Sequence, residues 1–175
     1  MSYPLKRIAI VGPESTGKST LAVELAALFG CVSVPEMARS YLEKRGGKYS
    51  EEDLLKLAGL QAAAEDEAAG RSSGLLICDT SLLVVRIWSE VRFGRCHPSI
   101  IQEEESRRYD LILLTAADLP WEPDPLREHP EGRQHLFSLY YRALLRKPGP
   151  FAVISGTGKA RTLLAADKIR TVKSI

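Results

Sequence analysis

The hydrophobic pattern of this chain alternates between short continuous apolar runs and longer stretches with helical spacing. Five short runs, rich in Val, Ile and Leu, predict buried strands at residues 5–11, 31–34, 75–78, 109–114 and 151–154. The stretches between them predict helices at residues 19–29, 36–44, 50–69, 81–93, 99–108 and 133–146, and from about 159 onward. This alternation is typical of a doubly wound α/β fold, with a five-stranded parallel sheet and helices on both faces.

Turn and capping residues support several of these boundaries. Gly30 is expected to end the first helix, and Pro35 to close the second strand. Residues 50–53, Ser-Glu-Glu-Asp, resemble a capping box, and residues 99–108 are predicted to form a polar surface helix. Residues 116–132 are rich in proline and charge, and loops that long are usually functional or disordered. We predict a lid there, at about residues 116–133.

Composition changes this picture little. The chain has 175 residues, 45% hydrophobic and 26% charged, which fits one globular domain over residues 1–175. The net charge of +2 and the intermixed signs do not indicate nucleic acid as the main partner.

The apolar run before residue 12 is too short for a signal peptide or a membrane span, so we expect a cytoplasmic protein without membrane contact. Its three cysteines form no CxxC pair and are expected to be reduced. Oligomeric state is left open.

One loop carries a strong chemical signature. Residues 12–19, Gly-Pro-Glu-Ser-Thr-Gly-Lys-Ser, match GxxxxGK[ST] between a predicted strand and a predicted helix. Such a loop points backbone N–H groups at phosphates, its lysine adds a cation near the β- and γ-phosphates, and its serine can bind Mg²⁺. We therefore predict a nucleoside triphosphate with Mg²⁺, with Lys18 also catalytic and Ser19 also a metal ligand. The nucleotide-binding candidates in this cradle are Gly12, Glu14, Ser15, Thr16, Gly17, Lys18, Ser19 and Thr20.

Two carboxylates follow predicted strands. Asp79 ends an apolar run as in a Walker B strand, which predicts a catalytic, Mg²⁺-binding residue; it could also cap the next helix. Since carboxyl ends of parallel strands meet at one edge, Glu36 should face the same crevice as Ser19. Glu36 is a candidate general base and substrate contact, or a helix N-terminal charge. Which carboxylate is the base stays open. Arg39 is expected to pair with Glu36 or with a substrate phosphate.

The predicted lid carries arginines and a tryptophan. Arg127 and Arg133 are candidates for stabilising charge on a transferring phosphoryl group. Trp121 could stack on a planar ring or anchor the loop. A second string, Gly-Thr-Gly-Lys at 156–159, is too short for another cradle, and Gly156 is expected at the edge of the adenine pocket.

Other P-loop classes fit the sequence less well. A GTPase would carry NKxD and DxxG, which are absent, and an AAA+ motor or transporter ATPase needs a longer chain and further motifs. Acceptor-side carboxylates and a lid with arginines favour a small-molecule kinase.

Short strings occurring in order also resemble a known family. Over residues 6–165 the chain resembles the ribosylnicotinamide kinase domain of NadR-type proteins, among the nucleoside kinase-like, AAA-type P-loop domains. The strings are GPESTGKST (12–20), VPEMARSYLE (34–43), Gln61, LLICDTS (75–81), Trp88 with a following Phe93-Gly94, YDLILLT (109–115), DLPWEPDPLR (118–127), Arg133, and VISG (153–156) with Arg161.

This resemblance implies a nucleoside kinase fold with sheet order 2-3-1-4-5. It also implies ATP-dependent phosphorylation of the 5′-hydroxyl of nicotinamide riboside to nicotinamide mononucleotide, a step of NAD biosynthesis. Glu36 and Arg39 would lie on the acceptor side, and Trp88 or Trp121 near the nicotinamide. Gly156 and Arg161 would flank the adenine.

Two positions depart from the family pattern. The usual DTD is Asp79-Thr80-Ser81 here, so a second acid is missing. The usual DGLR is Asp-Pro-Leu-Arg at 124–127, and the proline should stiffen the lid. Two alternatives therefore stay open: a kinase of another nucleoside or small alcohol, and a nucleotide-binding regulatory module.

Overall fold

The centre of the protein is a five-stranded parallel sheet, seen in a computed structural model that describes residues 4–128 and 131–173. The strand order is β2-β3-β1-β4-β5, and all neighbouring strands are parallel. The predicted α/β class and the sheet order 2-3-1-4-5 are therefore confirmed. The strands are β1 (Lys6–Val11), β2 (Val32–Val34), β3 (Leu75–Asp79), β4 (Leu111–Thr115) and β5 (Phe151–Ile154).

Helices follow each strand, at the predicted places and within a few residues of the predicted ends. The predicted capping box is present, because the Asp53 amide donates to Ser50 Oγ and the Ser50 amide donates to the Asp53 carboxylate. No helix in the described ranges is long and apolar enough to cross a bilayer. The helices are α1 (Lys18–Phe29), α2 (Met37–Lys44), α3 (Glu51–Arg71), α4 (Leu82–Phe93), α5 (Pro98–Ser106), α6 (Arg133–Leu145) and α7 (Gly158–Lys173).

Residues of β1 alternate between the two faces of the sheet, as strand geometry requires. Ile8 and Ile10 belong to a buried cluster that also contains residues of α1 and α7. Val11 packs on the other face with residues of α4 and α6, and Ala9 with a residue of α3. Both faces are thus covered by helices, which explains why the strands read as continuous apolar runs. The cysteines Cys31, Cys78 and Cys96 are free thiols.

Helix α5 is less exposed than its sequence predicts. Ile100 is 1% exposed and Glu104 is 4% exposed, although the sequence predicts a polar surface helix there. Glu104 forms ion pairs with Arg86 of α4 at 3.3 Å and with Lys147. Because these partners come from distant parts of the chain, the local pattern could not reveal that the carboxylate is buried.

The carboxyl ends of three adjacent strands create the crevice that the sequence predicts. Ile10 of β1 is in register with Asp79 of β3, and Val11 is in register with Leu114 of β4. The loop between β1 and α1 therefore begins beside the last residues of both neighbouring strands. Ligands of open parallel sheets bind at this edge.

Candidate active site

The loop between β1 and α1 forms a phosphate-sized cradle whose shape depends on two glycines. Gly12 has a φ of 143°, and a Cβ there would lie 2.3 Å from Thr115 Oγ1 and 2.9 Å from the Thr115 carbonyl oxygen. Gly17 has a φ of 72° and precedes Lys18, the first residue of α1. Other residues are strained at such angles. The loop thus ends at the positive pole of α1, where an anion is favoured.

Threonines tie the cradle to the neighbouring strand. Thr16 is fully buried; its Oγ1 donates to the Pro13 carbonyl and lies 2.7 Å from Thr115 Oγ1. Thr115, at the end of β4, also donates to the Val11 carbonyl at 3.1 Å. The Lys18 ammonium donates to the Pro13 carbonyl at 2.9 Å. These bonds fix the loop before any phosphate arrives, which is the preorganisation that an anion site requires.

Asp79 and Ser19 offer oxygen ligands side by side. Asp79 is 4% exposed, and its Oδ1 has no hydrogen-bond partner in the described part of the chain. Burial raises the pKa of this carboxyl, opposed by a hydrogen bond with the Ser19 hydroxyl and by the charge of Lys18. Hard cations prefer such oxygen ligands, so this pair fits Mg²⁺.

The residues after Asp79 adopt an unusual backbone. Thr80 has a φ of 87°, which is rare for a β-branched residue, and its amide donates to the Ile10 carbonyl at 3.0 Å. Ser81 is the N-cap of α4. The alternative prediction that Asp79 caps this helix is therefore wrong, because the turn at Thr80 leaves that place to Ser81. Strained backbone of this kind clusters at functional sites.

Glu36 lies in the same crevice, at the start of α2. It is the N-cap residue, but its side chain makes no capping hydrogen bond and lines the central cavity. Burial raises the pKa of its carboxyl; Lys18 lowers it, and the nearby Asp79 charge raises it. The structure thus brings together Glu36, Asp79 and the adjacent pair Lys18 and Ser19 from three separate segments, as the sequence predicts.

Arg39 has other partners than expected. Its guanidinium lies 2.6 Å from the Asp124 carboxylate in the predicted lid and 3.5 Å from Glu43. Among the described residues it forms no ion pair with Glu36, so that alternative is not realised, and contact with a substrate phosphate stays a prediction. Asp124 lies 85 residues away in sequence, which explains why local spacing suggested the nearer acid.

The lid segment lies over the cradle and carries both predicted arginines to it. Arg127 donates to Ser15 Oγ at 3.3 Å, and Arg133 donates to the Ser15 carbonyl at 3.0 Å. The Glu122 amide also donates to Ser15 Oγ, at 2.9 Å. Residues 129 and 130 of the predicted lid lie outside the described ranges. Ser15, to which the sequence assigned no individual role, is therefore the point where the lid meets the cradle.

The two tryptophans have different environments. Trp88 lines a cavity of about 460 Å³ that runs from the cradle past Glu36 to α4. Trp121 contacts both lid arginines, whose guanidinium carbons lie 5.9 Å (Arg127) and 5.7 Å (Arg133) from its ring centre. Of the two predicted roles for Trp121, this geometry matches the loop anchor, and Trp88 is the tryptophan at the cavity.

Arg161 is hydrogen-bonded both to Gly156 and to the cradle. Arg161 is 4% exposed and donates to the Gly156 carbonyl and to the Asp118 carboxylate, each at 2.7 Å. It also donates to the Thr16 carbonyl at 3.0 Å and to the Ala116 carbonyl at 3.3 Å. Arg161 therefore supports the cradle from behind, in addition to lining the cavity where the sequence predicts adenine.

A cluster at the far end of the cavity was not anticipated. The Trp88 indole N–H donates to the Tyr49 hydroxyl at 2.9 Å, and that hydroxyl donates to Glu128 of the lid at 2.8 Å. The Glu128 amide in turn donates to the Glu14 carboxylate at 3.0 Å. Tyr49 and Glu128 belong to no motif, so the sequence offered no signal for them.

Comparison with known sequences identifies a family and two curated relatives. The sequence model of the family described as "AAA domain" matches residues 7–161. Two curated relatives are both named "Trifunctional NAD biosynthesis/regulator protein NadR". The one from Escherichia coli (strain K12) is 32% identical over 129 residues, and the one from Salmonella typhimurium (strain LT2) is 31% identical. The match covers 70% of this chain but only 31% of either relative's length.

Solved structures share the fold. A crystal structure of "NadR protein in complex with NR" has a TM-score of 0.81 at 22% identity, covering 97% of this chain and 52% of that one. The NadR complex "with NAD and AMP-PNP" has a TM-score of 0.76 at 23% identity, covering 97% and 50%. A deoxyadenosine kinase from M. mycoides has a TM-score of 0.66 at 17% identity, covering 94% and 99%.

Proposed function

The chain belongs to the AAA domain family, and from this and the site geometry we propose that it is a nicotinamide riboside kinase dependent on ATP and Mg²⁺. It transfers the γ-phosphoryl group of ATP to the 5′-hydroxyl and releases nicotinamide mononucleotide and ADP. The names of the curated relatives, the NR complex that shares the fold, and the strings from 12 to 161 support this substrate. The observation that carries the proposal is that Glu36 and Asp79 both lie near Lys18, close to the cradle.

The cradle holds the phosphates of ATP. Its backbone N–H groups and the N-terminus of α1 supply the fixed positive potential, and Lys18 adds a mobile cation. Arg127 and Arg133, which both donate to Ser15 of the cradle, would stabilise charge that develops on the transferring group. The lid also keeps water from competing with the acceptor hydroxyl.

Ser19 and Asp79 are the residues that would hold Mg²⁺. The unpartnered Oδ1 of Asp79 and the adjacent Ser19 hydroxyl provide the oxygen ligands. When bound there, the ion would supply positive charge that offsets the negative charge developing on the phosphates during transfer. Asp79 is therefore assigned to the metal and Glu36 to the acceptor.

Glu36 takes the proton of the acceptor hydroxyl. The hydroxyl oxygen forms a bond to the γ-phosphorus, the bond to the β–γ bridging oxygen breaks, and the proton passes to Glu36. Because burial raises the pKa of this carboxyl, it is a stronger base when ionised than an exposed glutamate. Lys18, which lowers the same pKa, keeps a fraction of it ionised.

The acceptor end of the cavity suits a nucleoside better than a nucleotide. The cations among the described lining residues are Lys18, Arg39, Arg127 and Arg161. Three of them contact the cradle, and Arg39 already pairs with Asp124 at 2.6 Å. A phosphate on the acceptor would need to displace Asp124 from Arg39 and would lie near the carboxylates of Glu36 and Glu128. An acceptor without phosphate meets neither obstacle.

An ADP-release assay with ATP, Mg²⁺ and a panel of acceptors tests the proposal. We expect selective stimulation by nicotinamide riboside over common nucleosides, and its loss in Lys18→Ala and Asp79→Ala. Stronger stimulation by another nucleoside would reassign the substrate. Tight ATP binding with no acceptor stimulation would favour the regulatory alternative, and full turnover in either variant would refute the assigned site.

A further inference from the structure

The wall of the cavity beyond Glu36 is mainly apolar. Val84, Ile87, Trp88 and Val91 of α4 are spaced three and four residues apart and all line it, as one face of a helix would. Of these four side chains, the indole of Trp88 is the aromatic one. Such a wall accommodates a flat ring but does not by itself distinguish one ring from another.

A carboxylate stands at the rim beside that aromatic wall. Both oxygens of Glu128 lie within hydrogen-bond distance of the Tyr49 hydroxyl, at 3.0 and 2.8 Å, and the same hydroxyl accepts from Trp88 at 2.9 Å. Tyr49 packs edge-on against Trp88, with ring centres 4.7 Å apart. One hydroxyl therefore fixes Glu128 and Trp88 relative to each other, and both line the cavity.

The positive groups nearby are already occupied. Arg39 pairs with Asp124, and Arg92 lies over the Tyr49 ring with its guanidinium carbon 5.9 Å from the ring centre. Arg92 is not among the residues that line the cavity in the described ranges. Arg127, the neighbouring lining residue, donates to Ser15 Oγ of the cradle at 3.3 Å, and no cation in the described ranges forms an ion pair with the Glu128 carboxylate. The acceptor end therefore presents this carboxylate beside an indole.

From this arrangement we infer that Glu128 makes the acceptor site selective for a positively charged ring. The inference rests on the proposed function and goes beyond it, because it assigns recognition of ring charge to a lid residue. A pyridinium near Trp88 gains attraction to the aromatic face and to the carboxylate, whereas a neutral ring of the same shape gains only contact. Glu128 is exposed at the rim, so salt screens part of the effect.

Two acceptors that differ in ring charge test the inference. Nicotinamide riboside is a pyridinium, and its reduced dihydropyridine form keeps the ribose and carboxamide but is neutral. With a non-hydrolysable ATP analogue and Mg²⁺ present, calorimetric titration is expected to show tighter binding of the oxidised form by about fivefold to tenfold. In Glu128→Gln, which keeps an acceptor for Tyr49, this preference is expected to disappear through weaker binding of the oxidised form alone.

Glu131→Gln is the matched control. It removes one negative charge from the same segment, but Glu131 is not among the described residues that line the cavity. It is expected to keep the preference, and raised salt is expected to reduce the preference of the wild type. Equal binding of the two forms by the wild type, equal loss of both in Glu128→Gln, or binding of neither would overturn the inference. Turnover is measured separately. Charge-selective binding without phosphoryl transfer would refute the kinase proposal but not this inference. Phosphoryl transfer without a charge preference would refute this inference but not the kinase proposal.

Discussion

Replacing Arg161 with methionine is expected to destabilise the protein and to weaken phosphate binding, although Arg161 need not touch a phosphate. The guanidinium donates to three backbone carbonyls and to the Asp118 carboxylate, and one of those carbonyls belongs to Thr16 of the cradle. Methionine fills similar volume but leaves these acceptors without a donor. The variant thus separates support of the cradle from contact with the nucleotide base.

The magnitude follows from burial. Each buried acceptor that loses its donor lowers the free energy of unfolding by about 1–3 kcal/mol. The loss is smaller where water can replace the donor, as at Asp118, whose side chain is 35% exposed. We expect a total of about 3 kcal/mol. At about 2–4 °C per kcal/mol for a chain of this size, the melting temperature should fall by about 6–12 °C. Arg142→Met, an exposed change on α6, should stay within about 0.5 kcal/mol of the wild type.

Two ligands distinguish the possible roles of Arg161. ATP and inorganic tripolyphosphate share the phosphates, but only ATP has an adenine. If Arg161 acts through the Thr16 carbonyl, Arg161→Met should weaken binding of both ligands by a similar factor, measured by titration with Mg²⁺ below the melting range. Unchanged tripolyphosphate binding together with weaker ATP binding, or an unchanged melting temperature, would refute this reasoning and favour a contact with adenine.

Two further variants test the cradle and the proposed base. Gly12→Ala places a Cβ against the Thr115 carbonyl at a φ of 143°, so ATP affinity in a titration should fall by about tenfold or more. Gly59→Ala, inside α3 with open space around it, should instead raise the melting temperature slightly and leave ATP binding unchanged. Glu36→Gln should lower turnover by about 100-fold or more. Burial raises the folded-state pKa of Glu36, so ionising this carboxyl lowers the stability of the wild type as pH rises through that raised pKa. Glu36→Gln cannot ionise, and it should therefore melt at a higher temperature than wild type at neutral pH. This advantage should disappear in acid. Wild-type turnover should fall as pH drops through the same pKa; a melting difference independent of pH would contradict the assignment.

The parts of the fold that the sequence predicts depend on local signals. The three central strands β1, β3 and β4 are largely buried on both faces, so they read as apolar runs. The cradle is a contiguous motif whose glycines have strict backbone requirements. Asp79 and Glu36 were also predictable, because both follow strands of a parallel sheet and such ends meet at one edge.

The contacts that shape the acceptor end depend on tertiary structure. Tyr49 and Glu128 are 79 residues apart, and Arg161 and Thr16 are 145 apart. No periodicity links such pairs, and the charges of Arg39 and Asp124 are indistinguishable in sequence from solvated surface charges. The family resemblance placed Arg161 near the nucleotide, but its bonds to backbone carbonyls required coordinates.

The most direct test of the central claim is to identify the phosphorylated product. The protein is incubated with ATP, Mg²⁺ and nicotinamide riboside, and phosphorus NMR with mass spectrometry follows every phosphate. The account predicts a new phosphomonoester on the 5′-carbon of the riboside, formed in equal amount with ADP. ADP accompanied only by inorganic phosphate, or no ADP in the presence of bound ATP, would contradict it.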